Sequence, residues 1–480
     1  MKTLTFFGCV VLSYALLVVL AMAAPTGVHV TIYDSAFTEI VKSTQPVVTT
    51  LLEATPIPDI TGTTDTPIGT IAYTLSVIKF VSIDLGEILI TDVTNGISLG
   101  SSGASGHITL DWHYKCTTCF IRFSDRGSAD VTFDLSVALD TIITASKGEP
   151  VLTVDSDAVE LSNFNIELHG GASWLYQVFV NIFTHQIKEA VEKNLESSLA
   201  HAINDQGNAV LATAPLLVQL DPWVDLYYGM TANPIFDPSH LTSFHAGSFV
   251  SKAQPTVTCP ESSSPLPESI NFDMLQVFFS QYVANCAGYI YTRANVLHHT
   301  VTQVNLPANF PVQMNTTYFK QLIPTLYQSY PNEAMTIYVY AETPPISVFN
   351  ESGAFVWGSF FLNVSVVGSS SRQVFTLLMD VSTQVDIAVA AGNLTGKVSF
   401  VNLALSQVSS TIGVIDVSQL DSVVGFGIQD IMLPWINKLF GIGIPIPIVD
   451  GVKVVDAEVT YANGYIGYTT NFTFTPPTWE

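Results

Sequence analysis

Between residues 164 and 183 the chain reads FNIELHGGASWLYQVFVNIF, and the spacing of its apolar residues changes in the middle. Before Gly170-Gly171, Phe164, Ile166 and Leu168 alternate with Asn165 and Glu167, which is the period of a strand. After the glycines the spacing becomes helical. Val180, Phe183, Ile187, Val191, Leu195 and Leu199 fall on one stripe of a helix predicted over 173–204. Lys188–Glu192 and Glu189–Lys193 form i,i+4 pairs on the other side. A helix this long runs about 45 Å. It covers more sheet than an ordinary compact domain offers.

The sheet is legible upstream. Ile108, Leu110, Trp112 and Tyr114 alternate with polar residues, and so do Val131, Phe133, Leu135, Val137 and Leu139. Such alternation indicates antiparallel strands with one apolar and one wet face. A first helix, predicted over 35–54, gathers Phe37, Ile40, Val41, Val48, Leu51 and Leu52, with a kink expected at Pro46. The second half repeats the plan. A helix is predicted over 318–330 with Phe319, Leu322, Ile323 and Leu326 on its apolar face and a kink at Pro324. Strands follow around MTIYVYAE, SFFLNVSVV, QVFTLLMDVSTQVDIAVA and KVSFVNLAL. A helix over 428–440 carries Ile428, Ile431, Met432, Trp435 and Leu439, and Asn463-Gly464 closes a last hairpin. The order of elements predicts two domains, 25–250 and 271–480, joined by a Pro- and Ser-rich linker over 251–270.

Residues 1–24 read as a secretory signal peptide: Lys2, an apolar run, then small residues at Ala21, Ala23 and Ala24. The expected location is therefore extracellular or a secretory lumen. Cys9 leaves with this segment. Of the four remaining cysteines, Cys259 and Cys286 are expected to pair in an oxidising compartment. Cys116 and Cys119 are open between a short-loop disulfide, a redox pair and two thiols. Asn315, Asn350, Asn363, Asn393 and Asn471 begin glycosylation sequons, all in the second half.

Charge excludes some functions. The chain has 16 basic and 40 acidic residues, a formal net charge of -24. Its basic residues never cluster, so there is no footprint for nucleic acid. Only 12% of residues are charged and the mean hydropathy is +0.39, which points to a large internal apolar surface. No zinc helix, phosphate loop or nucleophile elbow occurs. GSSGASG (100–106) has turn chemistry, and the adjacent His298 and His299 would point to opposite faces of a strand. No enzymatic activity, catalytic residue, metal or cofactor is expected.

Three stretches, SGHITLDWHYK, FSDRGSADVTFDLSVALD and IELHGGASWLYQVFVNIFTHQIKEAVE, resemble the family of bactericidal/permeability-increasing protein, lipopolysaccharide-binding protein and the cholesteryl ester and phospholipid transfer proteins, its plant-type members especially. FSQYVANCAGYIYTRANVL, MTIYVYAETPPISVFNESG and IMLPWINKLFGIGIPIPIVDGVKVVDAEV resemble that family's second domain. The resemblance implies an α+β fold. Two tandem tubular lipid-binding domains, each a twisted antiparallel sheet wrapped on a long helix, would form a boomerang with a central sheet. It implies apolar tunnels for phospholipid or another acyl lipid, with exchange at a membrane or lipid-particle surface. Their candidate lining is Phe37, Val41, Val48, Leu51, Val180, Phe183, Ile187, Val191, Phe319, Ile323, Leu326, Ile431, Trp435 and Leu439. The alternative ligand is bacterial lipopolysaccharide, for which relatives carry cations at the tip of the first domain. Here residues 25–260 hold 25 acidic and 9 basic groups, and Lys42, Lys115, Arg122, Arg126 and Lys147 are the candidate cations. The family's usual first-domain disulfide cannot form, because VLTVDSDAVELSNF has no cysteine.

Overall fold

The computed structural model describes residues 25–171, 176–307, 310–390 and 392–477. The expected signal peptide lies outside the described residues. The chain forms two sheet-and-helix lobes that share a central sheet. In the first lobe a seven-stranded antiparallel sheet runs from Ile60 to His169. Its longest strand, Ser124–Ser146, pairs with Ala104–Cys116 over its first half and with Gly96–Ser102 over its second. Glu149–His169 pairs along its other side and is an edge strand. The alternation seen in sequence is the alternation of burial: Ile108, Leu110, Trp112 and Tyr114 are buried with Val131, Phe133, Leu135, Val137 and Leu139.

The long helix spans Tyr176–His201 and continues through a π-helical turn, Ala202–Gly207, into Asn208–Leu211. It therefore extends beyond the predicted 204. Phe183, Ile187, Val191, Leu195 and Leu199 are buried at every fourth position. Each four-residue step overshoots a full turn by roughly 40°, so the stripe winds around the helix as the sheet twists beneath it. The helix also caps the sheet. Backbone N–H groups of the edge strand donate to helix side chains: Leu161 to Glu192 (2.8 Å), Val159 to Glu196 (3.2 Å), Val154 to Asn204 (3.0 Å) and Leu152 to Asn208 (2.8 Å). Asn208 Nδ2 also donates to the Leu152 carbonyl at 2.8 Å. Donors that would otherwise template a foreign strand are thereby satisfied. The first helix, Asp34–Ala54, runs unbroken through Pro46.

The second lobe repeats the plan with different elements than expected. Its first helix is Gln281–Arg293, which follows the central strand Leu275–Ser280 as Asp34–Ala54 follows Val28–Tyr33. Ser280 caps it by accepting from the Tyr282 N–H. The predicted helix over 318–330 is instead a 3-10 turn, Tyr318–Lys320, and a short helix, Pro324–Ser329. Pro324 starts that helix rather than kinking a longer one, because proline lacks the N–H that only the first turn can spare. The last helical run extends over 421–442, with a π-helical turn at Ile428–Met432. There Asn437 repeats the device of Asn208: its Oδ1 accepts from the Val398 N–H (2.6 Å) and its Nδ2 donates to the Val398 carbonyl (3.0 Å).

The central sheet has six strands in the order Met230–Asp237, His240–His245, Val28–Tyr33, Leu275–Ser280, Tyr465–Phe474, Val452–Ala462. Both halves of the chain contribute. The segment expected as a linker has no strand or helix between Ser251 and Leu275, yet it is fastened along much of its length. Alternate residues of one strand hold it: His29 Nδ1 bonds the Pro267 carbonyl, the Thr31 hydroxyl donates to the Glu268 carbonyl, and the Tyr33 hydroxyl bonds Ser269. The Cys259–Cys286 disulfide ties the segment to the helix Gln281–Arg293. Cys116 and Cys119 also form a disulfide. Among the described residues no helix is long and apolar enough to cross a membrane.

Candidate functional site

Where the first lobe meets the central sheet there is a cavity of about 920 Å³. The first helix supplies one wall through Phe37, Ile40, Val41 and Val48; the end of the long helix supplies another through Leu199, Ala202, Ile203 and Val210. Sheet residues such as Ile88, Leu99, Val137 and Leu139 face them, and Val30, Ile32, Leu241, Leu275, Phe472 and Phe474 come from the central sheet. Local sequence explains why space remains here. The buried stripe fills the lobe as far as Leu199. Beyond it Ala202, Gly207, Ala212 and Ala214 line the cavity where a filled core would place large side chains. The lining includes Gly148, which follows Lys147 in a turn where both residues have positive φ (54° and 86°). A Cβ at Gly148 would meet the Tyr227 hydroxyl at 2.4 Å, so the close approach also requires glycine.

The sequence-based candidates divide on this map. Phe37, Val41 and Val48 line the cavity. Leu51 and Val180 are half-buried and are not in its lining. Phe183, Ile187 and Val191 are buried in the first lobe's packed core, Phe183 against Tyr73 with ring centroids 5.7 Å apart. Phe319, Ile323 and Leu326 are buried in the core of the second lobe, and Ile431 is half-buried outside that core. The side chains of Trp435 and Leu439 lie outside the described residues. Residues from the central sheet and from 447–449 belong to the cavity but carried no sequence signal toward it, because only long-range pairing brings them there. His298 and His299 are exposed and join no cluster of three ligating side chains among the described residues. Of the sequon asparagines, Asn471 is exposed and the other four are half-buried.

A histidine, His245, lines the cavity. His245 Nδ1 lies 2.8 Å from the Tyr228 carbonyl and must donate to it, so in the neutral ring Nε2 accepts from the Ser243 hydroxyl, 2.9 Å away. Burial pushes the His245 imidazole down to about 4, against the opposing pull of the Tyr228 carbonyl. The unfolded chain therefore binds a proton that the folded chain refuses between about pH 6.5 and 4. Stability should be lost as pH drops through that window, by at most about 3 kcal/mol. Urea midpoints measured from pH 7 to 4 should show this slope, and His245→Gln should flatten it. An unchanged slope in that variant would assign the effect to other groups. Two further lining residues, Thr141 and Tyr228, have buried hydroxyls with no hydrogen-bond partner among the described residues.

The candidate cations do not form one cluster. Arg126 and Lys147 stand at opposite ends of the strand Ser124–Ser146, and Lys42 is on the first helix. Lys115, Arg122 and Arg126 do share the tip that lies away from the cavity, around the Cys116–Cys119 loop. That loop presents Phe120, 104% exposed, and Ile121, 74% exposed, while Ile68 on the neighbouring hairpin is 43% exposed. The helical stripe from Phe183 to Leu199, about 24 Å long, separates this tip from the cavity.

Models of one family match almost the whole described chain. The model described as LBP / BPI / CETP family, N-terminal domain, matches residues 40–211, and that family's C-terminal domain matches residues 218–474. A bactericidal permeability-increasing protein of Sebastes schlegelii is 27% identical over 433 residues, spanning 88% of this chain and 90% of the relative. A BPI/LBP family protein of Arabidopsis thaliana is 27% identical over 411 residues, spanning 82% and 81%. The human lipopolysaccharide-binding protein is 23% identical over 411 residues, spanning 83% and 84%. The crystal structure of a lipopolysaccharide binding protein superimposes with a TM-score of 0.65 at 17% identity, covering 94% of this chain and 99% of that one. At that identity the likeness concerns the fold.

Proposed function

The chain belongs to the LBP/BPI/CETP family, and from that premise we propose that it is a secreted carrier of acyl lipids that holds phospholipid-like chains in the cavity of its first lobe. The cavity carries the reading. Its volume of about 920 Å³ is near the upper end of ordinary ligand sites, and its walls are mostly aliphatic. Burying an acyl chain contributes about 0.8 kcal/mol per methylene, so no charged anchor is needed. Glu149 lines the cavity, and the exposed Lys147 precedes Gly148 of its lining, so a zwitterionic headgroup is a candidate ligand. Two disulfides fit an oxidising compartment, consistent with removal of residues 1–24 as a signal peptide. Glycan attachment is proposed first at the exposed Asn471.

The test is native mass spectrometry with lipid extraction. The purified protein should carry acyl lipid, and delipidated protein should take phospholipid from phosphatidylcholine vesicles. Failure to load from vesicles would overturn the reading. A second reading, recognition of bacterial lipopolysaccharide, is favoured by the named relatives and by Lys115, Arg122 and Arg126 beside Phe120 and Ile121. Binding led by acyl chains should change little with salt, because screening weakens exposed charge pairs. Neutralising the three tip cations should then alter affinity for lipopolysaccharide less than threefold. A steep salt dependence that vanishes in that variant would make bacterial recognition the main function. Phe120→Ser with Ile121→Ser should lower adsorption to vesicles while leaving the lipid already held in the cavity in place.

A further inference from the structure

We propose that Asp237, His240 and Glu268 form a binding site for a divalent cation of the zinc class, which clasps the segment between the two lobes to the edge of the central sheet. One carboxylate oxygen from each acid and one ring nitrogen of His240 all lie within 4.8 Å of one another. Asp237 and His240 face each other across the two-residue turn Pro238-Ser239. The hairpin thus presents them together before any ligand arrives. Glu268 comes from the crossing segment, and its backbone is pinned by the Thr31 hydroxyl between the anchors at Pro267 and Ser269.

The histidine is held in the orientation a ligand needs. Its ring stacks on Tyr33 with centroids 5.1 Å apart, and Nδ1 contacts the Ser239 hydroxyl at 3.2 Å. Nε2 is then left sealed from solvent with no hydrogen-bond partner, 3.9 Å from Asp237 Oδ2. That spacing is too long for a hydrogen bond and suits an ion placed between the two atoms. In a tetrahedron, ligands about 2.1 Å from a common ion stand about 3.4 Å apart. Closing the whole set around the ion needs side-chain shifts of under about 1 Å. Among the described residues no lysine or arginine forms an ion pair with either acid, so two carboxylates converge without a fixed counter-charge. One imidazole with two carboxylates is a donor set for zinc, with water completing a tetrahedron, rather than for the all-oxygen shells of calcium or magnesium.

This inference does not rest on lipid binding, and its test reads the metal alone. The full chain, treated with chelator, is titrated with zinc chloride and with calcium chloride by calorimetry and thermal melting. Zinc should bind, raise the melting temperature and protect the peptide bonds of 252–274 from protease; calcium should do none of these. Glu268 is exposed, so Glu268→Gln should fold normally and lose at least tenfold in zinc affinity, as should His240→Gln. His107 and His169 flank Asp130 at 3.0 and 2.9 Å on the outer sheet face and are the natural competing zinc ligands. The double variant His107→Gln with His169→Gln should leave the melting shift intact. The proposal is wrong if zinc gives no melting shift or protection, or if both survive in Glu268→Gln and His240→Gln. Stabilisation by mild acid alone, without a response to zinc, would instead identify a protonated histidine shared by two carboxylates.

Discussion

Phe183→Ala is expected to cost about 3–5 kcal/mol of folding stability, and to leave the lipid held per folded molecule unchanged. Phe183 is 1% exposed and packs among Ile187, Val191 and the inner face of the first lobe's sheet. Deleting a buried ring loses its transfer free energy and leaves a cavity that the surrounding sheet closes only in part. Phe183→Asp should be worse, because an unpaired carboxylate would be buried there, and the first lobe should fail to fold. Denaturant unfolding followed by lipid analysis of the folded fraction separates the alternatives. A loss below 1 kcal/mol together with loss of lipid would mean that Phe183 faces ligand rather than core.

Ala202→Trp is expected to empty the cavity while the fold persists. Ala202 sits in the π-helical turn and lines the cavity, and a tryptophan there would project into space that acyl methylenes occupy. Excluding four methylenes removes about 3 kcal/mol, on the order of a 100-fold loss in affinity. Val41→Trp fills the same space from the first helix and should act alike. Agreement between the two variants guards against overpacking at a single site. Vesicle loading by the folded variants is the measurement. Unchanged loading in both would place the lipid elsewhere.

The contrast between Phe183 and Ala202 shows how far sequence reading reaches. Spacing identified the long helix, its buried stripe and the sheet it covers, since amphipathic periods report which face is hidden from water. They do not report what that face touches. Phe183 and Val41 carry the same signal, yet one meets a packed sheet and the other an open cavity. The second lobe's first helix is Gln281–Arg293, whereas spacing predicts a helix around Pro324. What distinguishes them is the central strand Leu275–Ser280 that leads into Gln281, and its pairing with Val28–Tyr33 is a contact across the whole first half. Glu192, Glu196 and Asn208 read as polar positions. Their partners are backbone donors of an edge strand, visible only once the sheet order is known.

Sequence alone therefore determined local periods: strand and helix types, the duplicated α+β plan, the family resemblance, and a composition oily enough for a large internal apolar surface. Tertiary structure decided where that surface is filled and where it is open. A void is set by the summed volumes of side chains from elements far apart in the chain. Val30, Leu241 and Phe472 bound the cavity as much as Val41 and Ala202 do. The same holds for Asp237, His240 and Glu268, which converge because the crossing segment is fastened to the central sheet.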